Sequence, residues 1–351
     1  MRALILREQK PVEEGPLSFA SLSVPKPGPG QILVRVHACG VCHTDLHIAE
    51  GDLPLRKSPV VLGHQVVGEV AETGPGVAKP KEGERVGLFW LAWACGQCPF
   101  CRRGQENLCP KARFTGYTVD GGFSEYTLAF ADFALPLPAD APPEEEAPLL
   151  CAGIVGYRAL KLSGAQKGEI LGLYGFGASA HLVLQAARFL GMRAFVFTRS
   201  QAHQEQAREL GAEWVGSPKD RPPKPLDAAI IFAPAGWIVP EALSSTRPGG
   251  TVVLAGIHMT PIPGMPYRLL WEERVVRSVA NATRADGEEF LRLAKEAGIR
   301  PEVQAFPWEE ANKALLLLKR AEIRGAAVLR IAADSLGTES SCPSRKERAC
   351  P

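Results

Sequence analysis

The stretch CGQCPFCRRGQENLC places Cys95, Cys98, Cys101 and Cys109 in a C-x2-C-x2-C-x7-C spacing. Four thiolates that close together complete a tetrahedral Zn²⁺ shell and leave no open position, so such a site folds a loop and binds no substrate. The C-x2-C-x2-C run also serves iron–sulfur clusters, and a loop of free thiols is the plain alternative. Ligand number and spacing favour structural zinc. Chemistry is therefore expected elsewhere. CGVCHTDLH carries Cys42, His43, Thr44, Asp45 and His47, VLGHQVVGEV carries His64 followed by Gln65, and PLLCAGIVGYRAL carries Cys151. Singly these are weak signals, because a lone cysteine is usually a small buried hydrophobe; Cys39 is read that way and given no role.

A third candidate site lies in GLYGFGASA, which sets Gly175, Gly177 and Ala180 as G-x-G-x-x-A. The first glycine permits a tight turn, the second lets a pyrophosphate approach the backbone, and the small third residue lets helix and strand pack closely. The phosphates then rest on a helix N-terminus. The pattern gains weight because it follows a strand and opens a helix. An NAD site would place an acid at the end of the next strand, to bind the ribose 2′-hydroxyl. That strand, RAFVFTRS, ends instead in Thr198, Arg199 and Ser200. A cation and two hydroxyls suit a 2′-phosphate, so NADP is favoured over NAD; the alternative leaves Arg199 stacked near an adenine or in solvent.

The elements that position these residues change character along the chain. Up to about residue 150, short apolar alternations such as ILVRVHACG and VVGEVAETG are separated by Pro and Gly clusters and read as strands and loops. From about 153, buried strands (EILGLY, RAFVFT, LDAAIIFAP, GGTVVLAGI) alternate with helical patterns (ASAHLVLQAARFLG, QAHQEQARELG), which is the signature of a doubly wound parallel sheet. After about 285 a helix, DGEEFLRLAKEAG, precedes a strand, GAAVLRI, and residues 332–351 are polar and aperiodic, as a disordered tail would be. The 351 residues predict two domains, and 46% hydrophobic content suffices for real cores. A net charge of +2 with interspersed signs excludes a nucleic-acid footprint. No apolar run is long enough to cross a membrane, and the N-terminus lacks the apolar core of a secretion signal, so the expected location is cytoplasmic. Nine cysteines without such a signal argue for metal rather than disulfides.

CGVCHTDLH, the four-cysteine lobe, CAG…YRAL and YGFGASAH occur in the order found in zinc-dependent medium-chain alcohol dehydrogenases, and from about residue 1 to 331 the chain resembles that family, its microbial primary-alcohol branch most of all. The resemblance implies a GroES-like (chaperonin-10-like) catalytic domain over 1–152 and 285–331 and a Rossmann domain over 153–284, with substrate in the cleft between them. It implies a catalytic zinc on Cys42, His64 and Cys151 besides the structural one, hence two per chain. Two thiolates and one imidazole leave the open fourth position that catalytic zinc needs. It also implies that Asp45 orients the His64 ring and that Thr44 takes the alcohol proton. His47 passes that proton to solvent, and His43 and Arg324 lie near the cofactor pyrophosphate. Leu53 and Trp90 line the substrate pocket, the indole narrowing it toward small or unbranched alcohols; otherwise Trp90 is a plain core aromatic. The implied substrates are a small alcohol and its aldehyde, and the implied assembly is a homodimer or homotetramer.

One position departs from the family. Where a Glu usually follows the metal-binding His, this chain has Gln65. A neutral amide leaves the site about one charge more positive, which is expected to change rate rather than reaction type. Two other readings stay open on the sequence: a non-catalytic nicotinamide-binding protein, crystallin-like or a sensor, and a polyol- or threonine-type dehydrogenase.

Overall fold

The computed structural model describes residues 1–331; the expected disordered tail at 332–351 lies outside the described residues. Six parallel strands form one sheet: Ile170–Tyr174, Arg193–Phe197, Trp214–Gly216, Leu226–Ile231, Thr246–Leu254 and Val275–Ser278. Counted along the chain, their spatial order is 3-2-1-4-5-6, the Rossmann arrangement. The first strand is buried at every position, as a central parallel strand covered on both faces must be. The helix Ala178–Phe189 covers it, with Ala180, Leu182, Val183, Leu184, Ala186 and Ala187 all buried.

The other half is built on a seven-stranded, mostly antiparallel sheet. Its long strand Gln31–Val41 pairs with Gln65–Thr73, with Tyr126–Phe130 and with Ala326–Arg330. That last pairing brings the end of the described chain back onto the N-terminal sheet. The chain touches that half from about the expected boundary at 285, where Arg284 bonds the Glu106 carboxylate and the Asp132 carbonyl. Helix Arg284–Ala297 packs on helices Ala152–Ser163 and Ala178–Phe189, with Phe290 wholly buried and Asp286 bonded to Arg158 and Lys161. The chain rejoins the antiparallel sheet only at Val303.

The N-terminal half is not purely strand and loop. Helix His43–Glu50 follows directly on the long strand, and Cys42 caps it. The Cys42 sulfur accepts the Thr44 N–H, and the Asp45 carboxylate accepts the Cys42 N–H at 2.9 Å. This is a capping box in which a cysteine takes the place of serine. Two turns with polar ends show little helical period, and a cysteine cap is not a usual start signal, so the sequence pattern missed it. Among the described residues, no helix is long and apolar enough to cross a membrane.

Candidate active site and metal centres

Among the described residues, two groups of side chains converge as metal ligands do, Cys95–Cys98–Cys101–Cys109 and Cys42–His64–Cys151, and within each group the ligand atoms lie within 4.8 Å of one another. Tetrahedral zinc–sulfur bonds of about 2.3 Å set ligand edges of about 3.8 Å, so both groups fit the ion. In the lobe, Cys98 caps the short helix Pro99–Arg102 and its sulfur stands 3.5 Å from that of Cys101. Backbone N–H groups of Gln97 and Cys98 pull the Cys95 thiol down to about 6. A backbone that favours thiolate here favours a metal. Cys39 joins neither group; it is buried in the core, and burial pushes its thiol well up.

The second group is assembled by three element ends. Cys42 is the cap of helix His43–Glu50, His64 precedes strand Gln65–Thr73, and Cys151 precedes helix Ala152–Ser163. The Cys42 sulfur is 3.2 Å from His64 Nε2. A hydrogen bond from Cys151, reinforced by the His64 ring, holds the Cys42 thiol well below its usual range, while Cys151 is pushed up as the donor of that bond. Burial opposes a charge on His64, yet the Cys42 thiolate and Asp45 carboxylate outweigh it and raise the imidazole to about 10. The cluster's own charges thus call for a cation between two sulfurs and a ring nitrogen, which is what a divalent metal supplies. Asp45 is fully buried, accepts the Gly63 N–H at 3.1 Å, and stands 3.4 Å from His64 Nδ1, so it is placed to orient that ring. Gln65 is buried against Gly40, where any Cβ would come within 2.7 Å of its side chain.

Trp90 is buried in the core and also borders the candidate metal cluster. Its indole meets the His64 ring edge-on at 5.1 Å and stacks on Phe114 and Tyr117 at 5.2 and 5.6 Å. The sequence pattern gave no sign of Phe114 and Tyr117 as its partners. Leu53 lies on the loop after helix His43–Glu50, its N–H bonded to the His47 carbonyl. His47 binds Asp52 through Nδ1 at 2.7 Å, and its ring lies between those of His43 and His258, at 6.2 and 5.0 Å.

The two glycines of the turn differ in what surrounds them. Gly175 adopts φ +86°, and a Cβ there would press to 2.9 Å on the Ala233 nitrogen, so the protein's own turn demands glycine. At Gly177, by contrast, a Cβ would meet no protein atom within 4 Å. The space is left for something else, at the cap of helix Ala178–Phe189, whose third residue, Ala180, is fully buried. Beyond the second strand, Thr198 is buried, Ser200 caps helix Gln201–Glu209 by accepting the His203 N–H, and Arg199 lines a cavity of about 630 Å³ with Ser217, Lys219 and Trp237. Lys219 is a second cation that the motif did not reveal. Arg324 is not brought to the glycine turn by its bonds, which go to Glu302 at 2.6 Å and Glu209 at 2.8 Å.

Comparisons with known proteins find relatives over nearly the whole chain. Residues 28–139 match the family described as alcohol dehydrogenase GroES-like domain, and residues 180–296 match zinc-binding dehydrogenase. The chain is 47% identical to a probable alcohol dehydrogenase, AdhA, of Mycobacterium tuberculosis, over 94% of this chain and 97% of that one. It is 37% identical to an alcohol dehydrogenase of Geobacillus stearothermophilus, over 95% and 100%. A solved cinnamyl alcohol dehydrogenase from Sorghum bicolor superimposes with a TM-score of 0.85 at 29% identity, covering 94% of this chain and 97% of its own.

Proposed function

This chain belongs to the zinc-dependent medium-chain alcohol dehydrogenases, and we propose that within that family it works with one zinc on Cys42, His64 and Cys151, a second on the four-cysteine lobe, and NADP as its preferred cofactor. It is a zinc- and nicotinamide-dependent oxidoreductase that interconverts alcohols and the corresponding carbonyl compounds. The observation that carries the site assignment is the convergence of two thiols and one imidazole beside a buried carboxylate.

When bound, zinc supplies a Lewis acid for the alcohol oxygen and the nicotinamide takes the hydride. The chain's residues do the rest. Asp45 fixes the His64 ring, and burial of the cluster keeps bulk water away from the ligands. Thr44, two residues past Cys42, accepts the hydroxyl proton, and His47, one helical turn on, carries it toward solvent. Trp90, held in a stack with Phe114 and Tyr117, sets its indole against His64 and narrows the space beside the cluster, which suits small or unbranched substrates. His43 and the glycine turn receive the pyrophosphate.

Three features support NADP. The strand after the glycine turn ends without an acid, Arg199 reaches the adjoining cavity, and Lys219 lines the same cavity with its ammonium 5.7 Å from the Trp237 ring. Against the single carboxylate of Glu241 in the same lining, two cations leave the pocket net positive, which suits a 2′-phosphate. Catalytic efficiency for aldehyde reduction is expected to be higher with NADPH than with NADH. Arg199→Ala and Lys219→Ala should each erode the preference by roughly tenfold, the worth of one charge-assisted bond. An NADH preference in the unaltered protein would remove the NADP reading.

A homodimer or homotetramer is also part of the proposal. Among the described residues no strand pairs with the outer edge of Val275–Ser278, and Tyr267 and Trp271, a few residues before it in the chain, are 71% and 60% exposed. A second copy covering that edge would account for both; a sedimenting monomer at micromolar concentration would contradict it.

A further inference from the structure

His47 is held on two sides by residues that neither motif nor spacing singled out. Helix His43–Glu50 ends at Gly51, with φ +97°, and the N–H groups of Gly51 and Leu53 both bond the His47 carbonyl. The turn carrying Asp52 is thereby tied to the backbone of the residue it serves. Gln9 reinforces it, its Nε2 donating to the carbonyls of Ile48 and Leu53 at 2.7 Å each. Asp52 Oδ2 then meets His47 Nδ1 at 2.7 Å; the His47 side chain is 9% exposed and that of Asp52 43%. On the other side stands His258, whose ring lies 5.0 Å from that of His47 at an interplanar angle of 44°. His258 belongs to the loop after strand Thr246–Leu254 and so to the nucleotide-binding half. The titratable groups facing His47 are thus Asp52, His43 and His258.

We propose that Asp52 and His258 are positioning residues of the proton exit. Asp52 accepts the Nδ1–H of His47, which fixes the tautomer and leaves the Nε2 lone pair free to take a proton. The proton that leaves the alcohol hydroxyl adds at Nε2, the resulting imidazolium faces the Asp52 carboxylate, and loss of that same Nε2 proton to water returns the ring to its starting tautomer with the Nδ1–H bond to Asp52 intact. His258 packs on the ring from across the cleft, so His47 is held in its working orientation only where the two halves meet. The inference rests on the reading of His47 as the relay residue.

The test uses the zinc-loaded, full-length protein with histidine labelled in nitrogen-15. Asp52→Asn should shift the His47 ring nitrogens from one tautomer toward a mixture, and should lower kcat roughly threefold to tenfold with little change in KM. Asp52→Glu should restore both. His258→Ala should lower kcat similarly and His258→Phe should recover it, because the contact is one of packing. All these losses should vanish in a His47→Gln background. Unchanged ring shifts in Asp52→Asn, or wild-type kcat in both Asp52→Asn and His258→Ala while His47→Gln is slow, would overturn the inference alone. A wild-type kcat in His47→Gln would instead overturn the relay reading beneath it.

Discussion

Gln65 follows the metal-binding His64 and is buried against Gly40. Gln65→Glu is nearly isosteric and adds one negative charge beside a cluster that already contains Cys42, Cys151 and Asp45. Extra negative charge near a bound cation tightens its retention and makes a ligand oxygen less acidic. The variant is therefore expected to resist a chelator roughly tenfold longer and to shift the pH profile of alcohol oxidation upward by about one unit. Unchanged chelator kinetics together with an unchanged profile would show that position 65 does not touch the metal's electrostatics. The site was partly legible at this scale because its residue types are rare. Cysteines in tight spacing and a histidine among glycines stand out from a background of common residues. Asp52, His258, Phe114, Tyr117 and Lys219 did not, because they are ordinary loop and strand residues until tertiary structure brings them together. Arg324 shows the reverse: a cation legible as a phosphate ligand is engaged by two carboxylates.

Helix Ala178–Phe189 does more than present its N-terminus. His181, one turn in, is buried and joins two elements: its Nδ1 stands 3.2 Å from the Gly177 carbonyl, and its Nε2 accepts the Glu302 N–H at 3.2 Å. Glu302 is also gripped by Gln206 and Arg324 and opens the segment that returns to the antiparallel sheet. The ring must be neutral to donate from Nδ1 and accept at Nε2. A proton on Nε2 would face the Glu302 N–H with another N–H. Burial accordingly lowers the imidazole from 6.5 to about 4. A depressed histidine means that the unfolded chain binds the proton first, so its stabilisation is present above pH 6.5 and is lost as pH falls toward 4. The loss is on the order of 3 kcal/mol. Thermal midpoints measured from pH 7.5 to 4.5 should fall more steeply for the native protein than for His181→Gln; parallel curves would show that the ring carries no such load. At this scale the Rossmann strands were legible because burial on both faces makes them continuous apolar runs. Helix His43–Glu50 was not, since a cysteine cap and two short turns leave no periodic trace.

Across the whole molecule, the two halves divide the labour. The antiparallel half and the helix starting after Cys151 bring the metal ligands together, the parallel half presents the glycine turn, and the cleft faces of both meet at His47 and His258. The discontinuous path through the antiparallel sheet was legible only as a change of texture near residue 285. Pairing of Ala326–Arg330 with Gln31–Val41 spans nearly the full chain, and no local pattern encodes it. The most direct test of the account is zinc content per chain, measured together with alcohol turnover, for the native protein and for Cys151→Ser. Two zinc ions are expected in the native protein, one in the variant, and a loss of turnover of roughly a thousandfold or more with the fold retained. Full turnover with unchanged zinc in Cys151→Ser would contradict it.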